Sequence, residues 1–170
     1  MLARVLHLED QVPVDLAILL RLVVALVLSG LIGWERESVG KAAGLRTHMF
    51  VGMGAALFMA LGNLVITDFQ HHGDNLRFDP LRLIEAIVSA VGFLGAGTIF
   101  VSRAADHVRG LTTAASLWAT AAVGIAVGLE HYVLAVGSTA LVLVVLRLLL
   151  LVKDDLDVQE GQRTPSSPAE

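Results

Sequence analysis

The chain of 170 residues contains no cysteine, few aromatic residues and few charges. The lack of cysteine excludes disulfides, thiolate zinc sites and cysteine nucleophiles. Charged residues make up only 16% of the chain, whereas a soluble domain carries about 25%. The net charge is −4 and no long basic run is present, so we expect no nucleic-acid partner. With 55% hydrophobic residues, the composition excludes a water-soluble globule and a disordered chain, and it predicts an integral membrane protein.

Five apolar stretches are long enough to cross a bilayer, which takes about 20 residues. They cover residues 15–34, 49–67, 81–102, 110–129 and 132–152. The scarcity of aromatic residues beside 16 glycines indicates close helix contacts made by small residues. We therefore predict an all-α membrane protein, a compact bundle of about five transmembrane helices. In this prediction residues 1–14 are an external N-terminal segment, residues 15–152 the transmembrane domain and residues 153–170 a disordered polar cytoplasmic tail.

The distribution of Lys and Arg predicts the orientation of the chain. With five spans, the loops 35–48 and 103–109 lie on the same side as the C-terminus. When residues that can reach the interface are included, the side of the C-terminus carries eight basic residues: Arg36, Lys41, Arg46, Arg103, Arg109, Arg147, Lys153 and Arg163. The other side carries four: Arg4, Arg21, Arg77 and Arg82. We expect an external N-terminus and a cytoplasmic C-terminus.

Polar residues gather around the predicted cytoplasmic ends of the first, second and fourth spans. They form either a recognition patch or ion vestibule, or an ordinary solvated loop with basic anchors. The candidate functional cluster consists of Glu35, Arg36, Glu37, Arg46, Thr47, His48, Arg109, Thr112 and Thr113. We expect Glu35, Arg36 and Arg46 to form its core, because the short loop holds them at one interface. There they either tie the first two spans together or present a charged face to a partner.

Glycines predict where helices approach one another closely. The candidates for helix packing or a cavity wall are Gly30, Gly33, Gly92, Gly95, Gly97, Gly124 and Gly128. The segment GFLGAG at 92–97 has two interpretations. It is either a tight helix crossing or a broken helix whose freed backbone lines a polar cavity.

Two charged residues, Arg21 and Glu85, lie inside predicted spans. Charges within a membrane are costly and are candidates for function. Three interpretations stay open: a functional role, snorkelling to the interface, or pairing with each other across the bundle. The spacing of Arg21, Ala25, Leu28, Ile32 and Glu35 predicts that this stripe faces the bundle interior.

No pattern predicts an enzyme, a cofactor or a metal site. The loop 68–74 contains histidines and aspartates, but it lacks further ligands at fixed spacing. The sequence has no Walker A or HExxH motif and no supported Ser–His–Asp arrangement.

Five segments together resemble the MgtC/SapB family of bacterial inner-membrane proteins: GLIGWERE at 30–37, GLRTH at 44–48, DPLR at 79–82, GFLGAG at 92–97 and VRGLTTAASLW at 108–118. The resemblance implies a multi-helix domain in the inner membrane and a link to magnesium limitation and, in pathogens, to virulence. It also implies a regulator that contacts other membrane proteins, with ATP synthase as a candidate partner. A homo-oligomer stays open.

The resemblance leaves two functions to be distinguished. We expect a short form without the ACT-like C-terminal domain of some relatives, acting as a non-enzymatic regulator embedded in lipid. The alternative is a channel or carrier for Mg²⁺ or another cation, which would need about one or two carboxylates along a wet path.

Overall fold

The computed structural model describes residues 14–71, 79–102 and 107–163. These residues form five packed helices and one short hairpin: α1 (Val14–Ser38), α2 (Leu45–His71), α3 (Pro80–Gly97), β1 (Phe100–Ser102), β2 (His107–Arg109), α4 (Leu111–Gly128) and α5 (Tyr132–Arg163). Three helical stretches are long and apolar enough to cross a membrane, namely Val14–Ser38, Leu45–Thr67 and Leu111–Gly128. Tyr132–Leu148 is a shorter apolar stretch. The predicted helical membrane bundle is confirmed.

Helix α4 is the centre of the bundle and contacts each of the other four helices. Its buried residues include Thr120, Val123 and Val127, and α1 contributes Ala25 and Ile32 to the same core. The outer faces of α1 and α5 carry large apolar residues such as Val27 and Val133. This arrangement is typical of a membrane protein, because lipid is as apolar as the core.

Local signals explain the helix ends. The Asp79 side chain accepts a hydrogen bond from the Leu81 amide at 3.0 Å, and Pro80 occupies the first turn of α3. Helix α1 closes with Gly40 in the left-handed region at φ 65°. The Gly40 amide donates to the Glu37 carbonyl and the Lys41 amide to the Arg36 carbonyl, each at 3.0 Å. This is a Schellman motif, and it returns the chain directly into α2.

Helix α3 is shorter than the span predicted at 81–102. Its last turn tightens at Thr98, whose amide and hydroxyl both donate to the Gly95 carbonyl. The next residues form an antiparallel hairpin in which Phe100 pairs with Arg109. The apolar run Ile99–Val101 raised the hydropathy of the predicted span, but its β-branched and aromatic residues favour a strand. The purely helical prediction is therefore wrong for this connection.

Helix α5 is longer than predicted and continues to Arg163. Residues 153–163, expected to be disordered, are helical. Six of these eleven residues are Lys, Leu, Gln, Glu or Arg, which propagate a helix well, and extending an existing helix needs no new nucleus. The predicted terminal segments 1–13 and 164–170 and the loop 72–78 lie outside the described residues.

Candidate functional site

A buried ion pair closes the end of α1. Glu35 and Arg36 are 4% and 2% exposed. Arg36 Nη2 donates to Glu35 Oε1 at 2.8 Å, and Arg36 Nε donates to Oε2 of the same carboxylate. The contact is therefore bidentate between sequence neighbours, a geometry that strengthens a charge-assisted pair. Both carboxylate oxygens of Glu35 are occupied by its own neighbour.

His48 on α2 connects that end of α1 to α4. Its side chain is fully buried, and its Nδ1 lies 2.9 Å from the Gly44 carbonyl. A carbonyl can only accept, so Nδ1 is protonated. Its Nε2 lies 3.2 Å from Ser116 Oγ, and that hydroxyl lies 2.8 Å from the Thr113 carbonyl. The imidazole thus bridges the first turns of α2 and α4.

We call Glu35, Arg36, His48, Thr113 and Ser116 the buried polar cluster. All five are at most 4% exposed. They meet at the end of the bundle where α1 ends and where α2 and α4 begin. The prediction placed four of these residues in one site, and the structure brings those four together. Ser116 was missed, although it is three residues after Thr113 and so on the same helical face.

Two hydroxyl side chains extend this polar region into the bundle. Thr120 Oγ1 donates to the Ser116 carbonyl at 2.8 Å. Ser29 is fully buried, and its Oγ has no hydrogen-bond partner among the described residues. Ser29 lies directly against Gly52 of α2, so this crossing brings two helix backbones close together.

The remaining members of the predicted cluster are exposed: Glu37, Arg46, Thr47, Arg109 and Thr112. Among the described residues Glu35 pairs with Arg36 and not with Arg46, which contradicts the expected tie between the first two spans through Arg46. The alternative, a charged face presented to a partner, stays a prediction. Glu37 has a structural role instead. Its Oε2 accepts from the Leu45 amide at 2.7 Å, which places a carboxylate at the N-terminus of α2, where the helix dipole favours it.

Three of the predicted packing glycines sit at very close crossings with α2. A Cβ atom at Gly33 would lie 2.8 Å from a Cα atom of α2, and one at Gly128 would lie 2.6 Å from a side-chain carbon. A Cβ atom at Gly124 would overlap the carbonyl oxygen of Gly52. These positions require bare backbone, and Gly52 is an equally tight position that the sequence reasoning missed.

The other four predicted glycines do not lie at such close crossings. Cβ atoms at Gly30 and Gly95 would each make ordinary contact at 3.4 Å. Cβ atoms at Gly92 and Gly97 would have no atom of the described residues within 4 Å, so packing against the described part of the chain does not require glycine there. Helix α3 also runs unbroken through GFLGAG, which contradicts the broken-helix interpretation.

The intramembrane charges do not pair with each other. Arg21 Nη2 lies 2.8 Å from Oε1 of Glu130 in the turn between α4 and α5. Glu130 has φ 65°, a conformation that a residue other than glycine adopts at some cost. Glu85 is exposed on α3. The option of an Arg21–Glu85 pair is wrong. The signal for Glu130 was its place in the three-residue connection between α4 and α5.

The contacts of the buried polar cluster indicate a structural role, the connection of neighbouring helices. Ser116 and His48 are in hydrogen-bond contact, but they are 3% and 0% exposed and lie within a helix crossing. Nucleophilic catalysis would need a substrate atom within about 3 Å of the hydroxyl. Among the described residues no group of three or more His, Asp or Glu side chains could hold a metal ion.

Comparison with known proteins identifies relatives over most of the chain. The model of the MgtC family matches residues 22–154. "Putative magnesium transporter YhiD" of Escherichia coli K12 is 42% identical over 75% of this chain and 58% of its own length. "Protein MgtC" of Brucella abortus is 40% identical over 85% of this chain and 56% of its own length. "Protein MgtC" of Salmonella typhimurium is 39% identical over 74% and 49%.

The chain spans between about half and three fifths of the length of these relatives and matches their N-terminal part. No solved structure matches it significantly.

Proposed function

From the premise that this chain belongs to the MgtC family and is a multi-pass membrane protein, we propose that it is a non-enzymatic regulator. It acts by contact with another membrane protein, in response to magnesium limitation. The observation that carries this proposal is the pairing of Glu35, the buried acid at the end of the bundle where α1 ends and where α2 and α4 begin. Both oxygens of Glu35 accept hydrogen bonds from Arg36, so an ion at this carboxylate would have to compete with the pair.

Basic residues at the end of the bundle that holds the buried polar cluster support one orientation in the membrane. Lys41, Arg46 and Arg109 are exposed there, and exposed basic residues favour the cytoplasm. We place this end and the C-terminus in the cytoplasm and the N-terminus outside. Arg46 and Arg109 then offer a cytoplasmic charged surface to a partner, and ATP synthase is the first partner to test.

A magnesium channel or carrier is the second candidate. It is favoured by the name of the Escherichia coli relative, which includes magnesium transport. Mg²⁺ keeps several of its waters and binds about one or two carboxylates. A path that used the buried carboxylate of Glu35 would have to open the Glu35–Arg36 pair, which would leave a buried charge without a partner.

The test is capture in native membranes of the host. A tagged chain is cross-linked in cells grown in low magnesium, and ATP synthase subunits are quantified in the purified material. We expect enrichment with the wild type and a loss of enrichment with Arg46→Ala and Arg109→Ala at unchanged thermal stability. Val133→Ala, at a residue 91% exposed on α5, is the matched control. Equal enrichment in all variants, or none with the wild type, would contradict contact through this surface.

A further inference from the structure

Helix α3 has an inward and an outward face of opposite character. Its inward face carries Leu83, Ile87, Val91 and Gly95, all buried or half-buried. Leu83 contacts Gly62 of α2, and Gly95 contacts α4. The outward side carries a stripe of exposed small and polar residues, Arg82, Glu85, Ser89, Gly92 and Ala96, and the exposed apolar residues Leu81, Phe93 and Leu94 lie beside it. The spacing of three or four residues places the stripe on one side of the helix.

The small and polar stripe of α3 differs from the exposed sides of α1 and α5. The exposed side of α1 carries large apolar residues: Leu16, Leu19, Leu20, Val23, Val27 and Leu31. The exposed side of α5 is similar, with Val133, Val136, Leu141, Val144 and Leu148. Lipid suits such surfaces. It does not suit an acid, a hydroxyl and a glycine aligned on one stripe, because small and polar residues in a membrane are typical of helix contacts.

Two observations on this face point away from packing inside the chain. Among the described residues, a Cβ atom at Gly92 would have no atom within 4 Å, so no described neighbour in this protomer explains the glycine. Glu85 lies about 8 Å along the helix axis from its first residue and is exposed. Among the described residues its carboxylate makes no ion pair, since the salt bridges found join Arg21 to Glu130 and Arg36 to Glu35.

The charges on this face are complementary to themselves. Arg82 precedes Glu85 by three residues, so the two opposite charges lie about 4.5 Å apart along the axis. All copies of a membrane protein insert in the same orientation, and a pair of copies is then related by a two-fold axis along the membrane normal. Such an axis beside α3 brings Arg82 of one copy next to Glu85 of the other, twice. It also brings the two backbones together at Gly92.

We propose that this outward face of α3 is the interface through which two copies of the chain form a parallel dimer in the membrane. The two reciprocal Arg82–Glu85 pairs satisfy the intramembrane carboxylates. Ser89, Gly92 and Ala96 allow the helices to approach closely. The dimer is independent of whether the protein regulates a partner or transports Mg²⁺.

The first test measures association in liposomes by energy transfer between two fluorescently labelled pools, at increasing dilution with lipid. Gly92→Leu should weaken association by about tenfold or more without changing the melting temperature, because there is space around this residue within the protomer. Gly137→Leu on α5 is the matched control, since Gly137 is also exposed and a Cβ atom there also has no atom within 4 Å. Arg82→Glu and Glu85→Arg should each weaken association, and the double exchange should restore it.

The second test uses the absence of native cysteine. Ser89→Cys should form an intermolecular disulfide in native membranes, which requires the two Cα atoms to come within about 7 Å. Val136→Cys on α5 should not. A monomer at every lipid dilution, a dimer weakened equally by Gly137→Leu, or equal cross-linking of the two cysteine variants would overturn this interface.

Discussion

Removal of one partner of the Glu35–Arg36 pair should be among the most destabilising single changes in this protein. In Arg36→Met the aliphatic stem is replaced, but the carboxylate of Glu35 remains with a side chain only 3% exposed. Among the described side chains only Arg36 donates hydrogen bonds to this carboxylate, so none replaces the lost donors. Breaking a buried pair in this way costs about 3–5 kcal/mol.

The same reasoning predicts that removing both charges is tolerated. In Glu35→Leu/Arg36→Met no buried charge is left alone, and replacing a buried pair by apolar residues is often neutral or stabilising by about 1–4 kcal/mol. We therefore expect the double variant to recover most of the loss. Arg46→Met is the control, because an exposed residue should change the free energy of unfolding by about 0.5 kcal/mol or less.

The assay is reversible unfolding in mixed detergent micelles, followed by circular dichroism, for the wild type, both single variants, the double variant and the control. A free energy of unfolding for Arg36→Met equal to that of Arg46→Met would refute the role of the pair. So would a double variant whose loss is the sum of the two single losses, because it would show that the charges do not interact. Exchange of the charges at Glu35 and Arg46 should not rescue either change, since Arg46 is exposed.

Three further changes test other contacts by the same unfolding measurement. Ser29→Ala should leave the protein as stable or make it more stable, because the buried hydroxyl has no partner among the described residues and a buried hydroxyl without a hydrogen bond costs about 1–3 kcal/mol; a clear loss of stability would reveal a hidden partner. Gly124→Ala should destabilise and Gly137→Ala should not, since only at Gly124 would a Cβ atom meet other atoms; equal effects would remove the close crossing. Glu130→Gly relieves a left-handed backbone but removes the ion pair with Arg21. The change in the free energy of unfolding should therefore be more favourable in an Arg21→Ala background than in the wild type. Equal changes in both backgrounds would show that the ion pair does not contribute to stability.

The sequence predicted the helices well because hydropathy and helix length are properties of single segments. The stripe through Arg21, Ala25, Leu28, Ile32 and Glu35 was predicted to face the interior. The last four of these residues are buried and Arg21 is half-buried. The hairpin after α3 was not predicted, because the hydropathy of Ile99 and its neighbours is the same in a helix and in a strand.

The partners of polar residues were harder to predict than their importance. Glu35 and Arg36 were selected from the sequence, and Arg46 was expected to join them because the short loop holds it at the same interface. A contact between Glu35 and Arg36 themselves was not expected, because adjacent residues on a helix normally point to different sides. Ser116 and Gly52 were missed because each has its role only through a contact across the bundle, with His48 and with Ser29 respectively. Such contacts depend on the helix crossings, which a single sequence without an alignment does not specify.

Magnesium flux through the purified protein tests the central claim most directly. The chain is reconstituted into liposomes that contain a magnesium-sensitive dye, and an inward Mg²⁺ gradient is applied with a membrane potential that favours entry. We predict uptake equal to that of protein-free liposomes and to that of the Glu35→Leu/Arg36→Met variant. Saturable uptake by the wild type that is lost in this variant would contradict the account, because it would show that the buried pair opens to pass the ion.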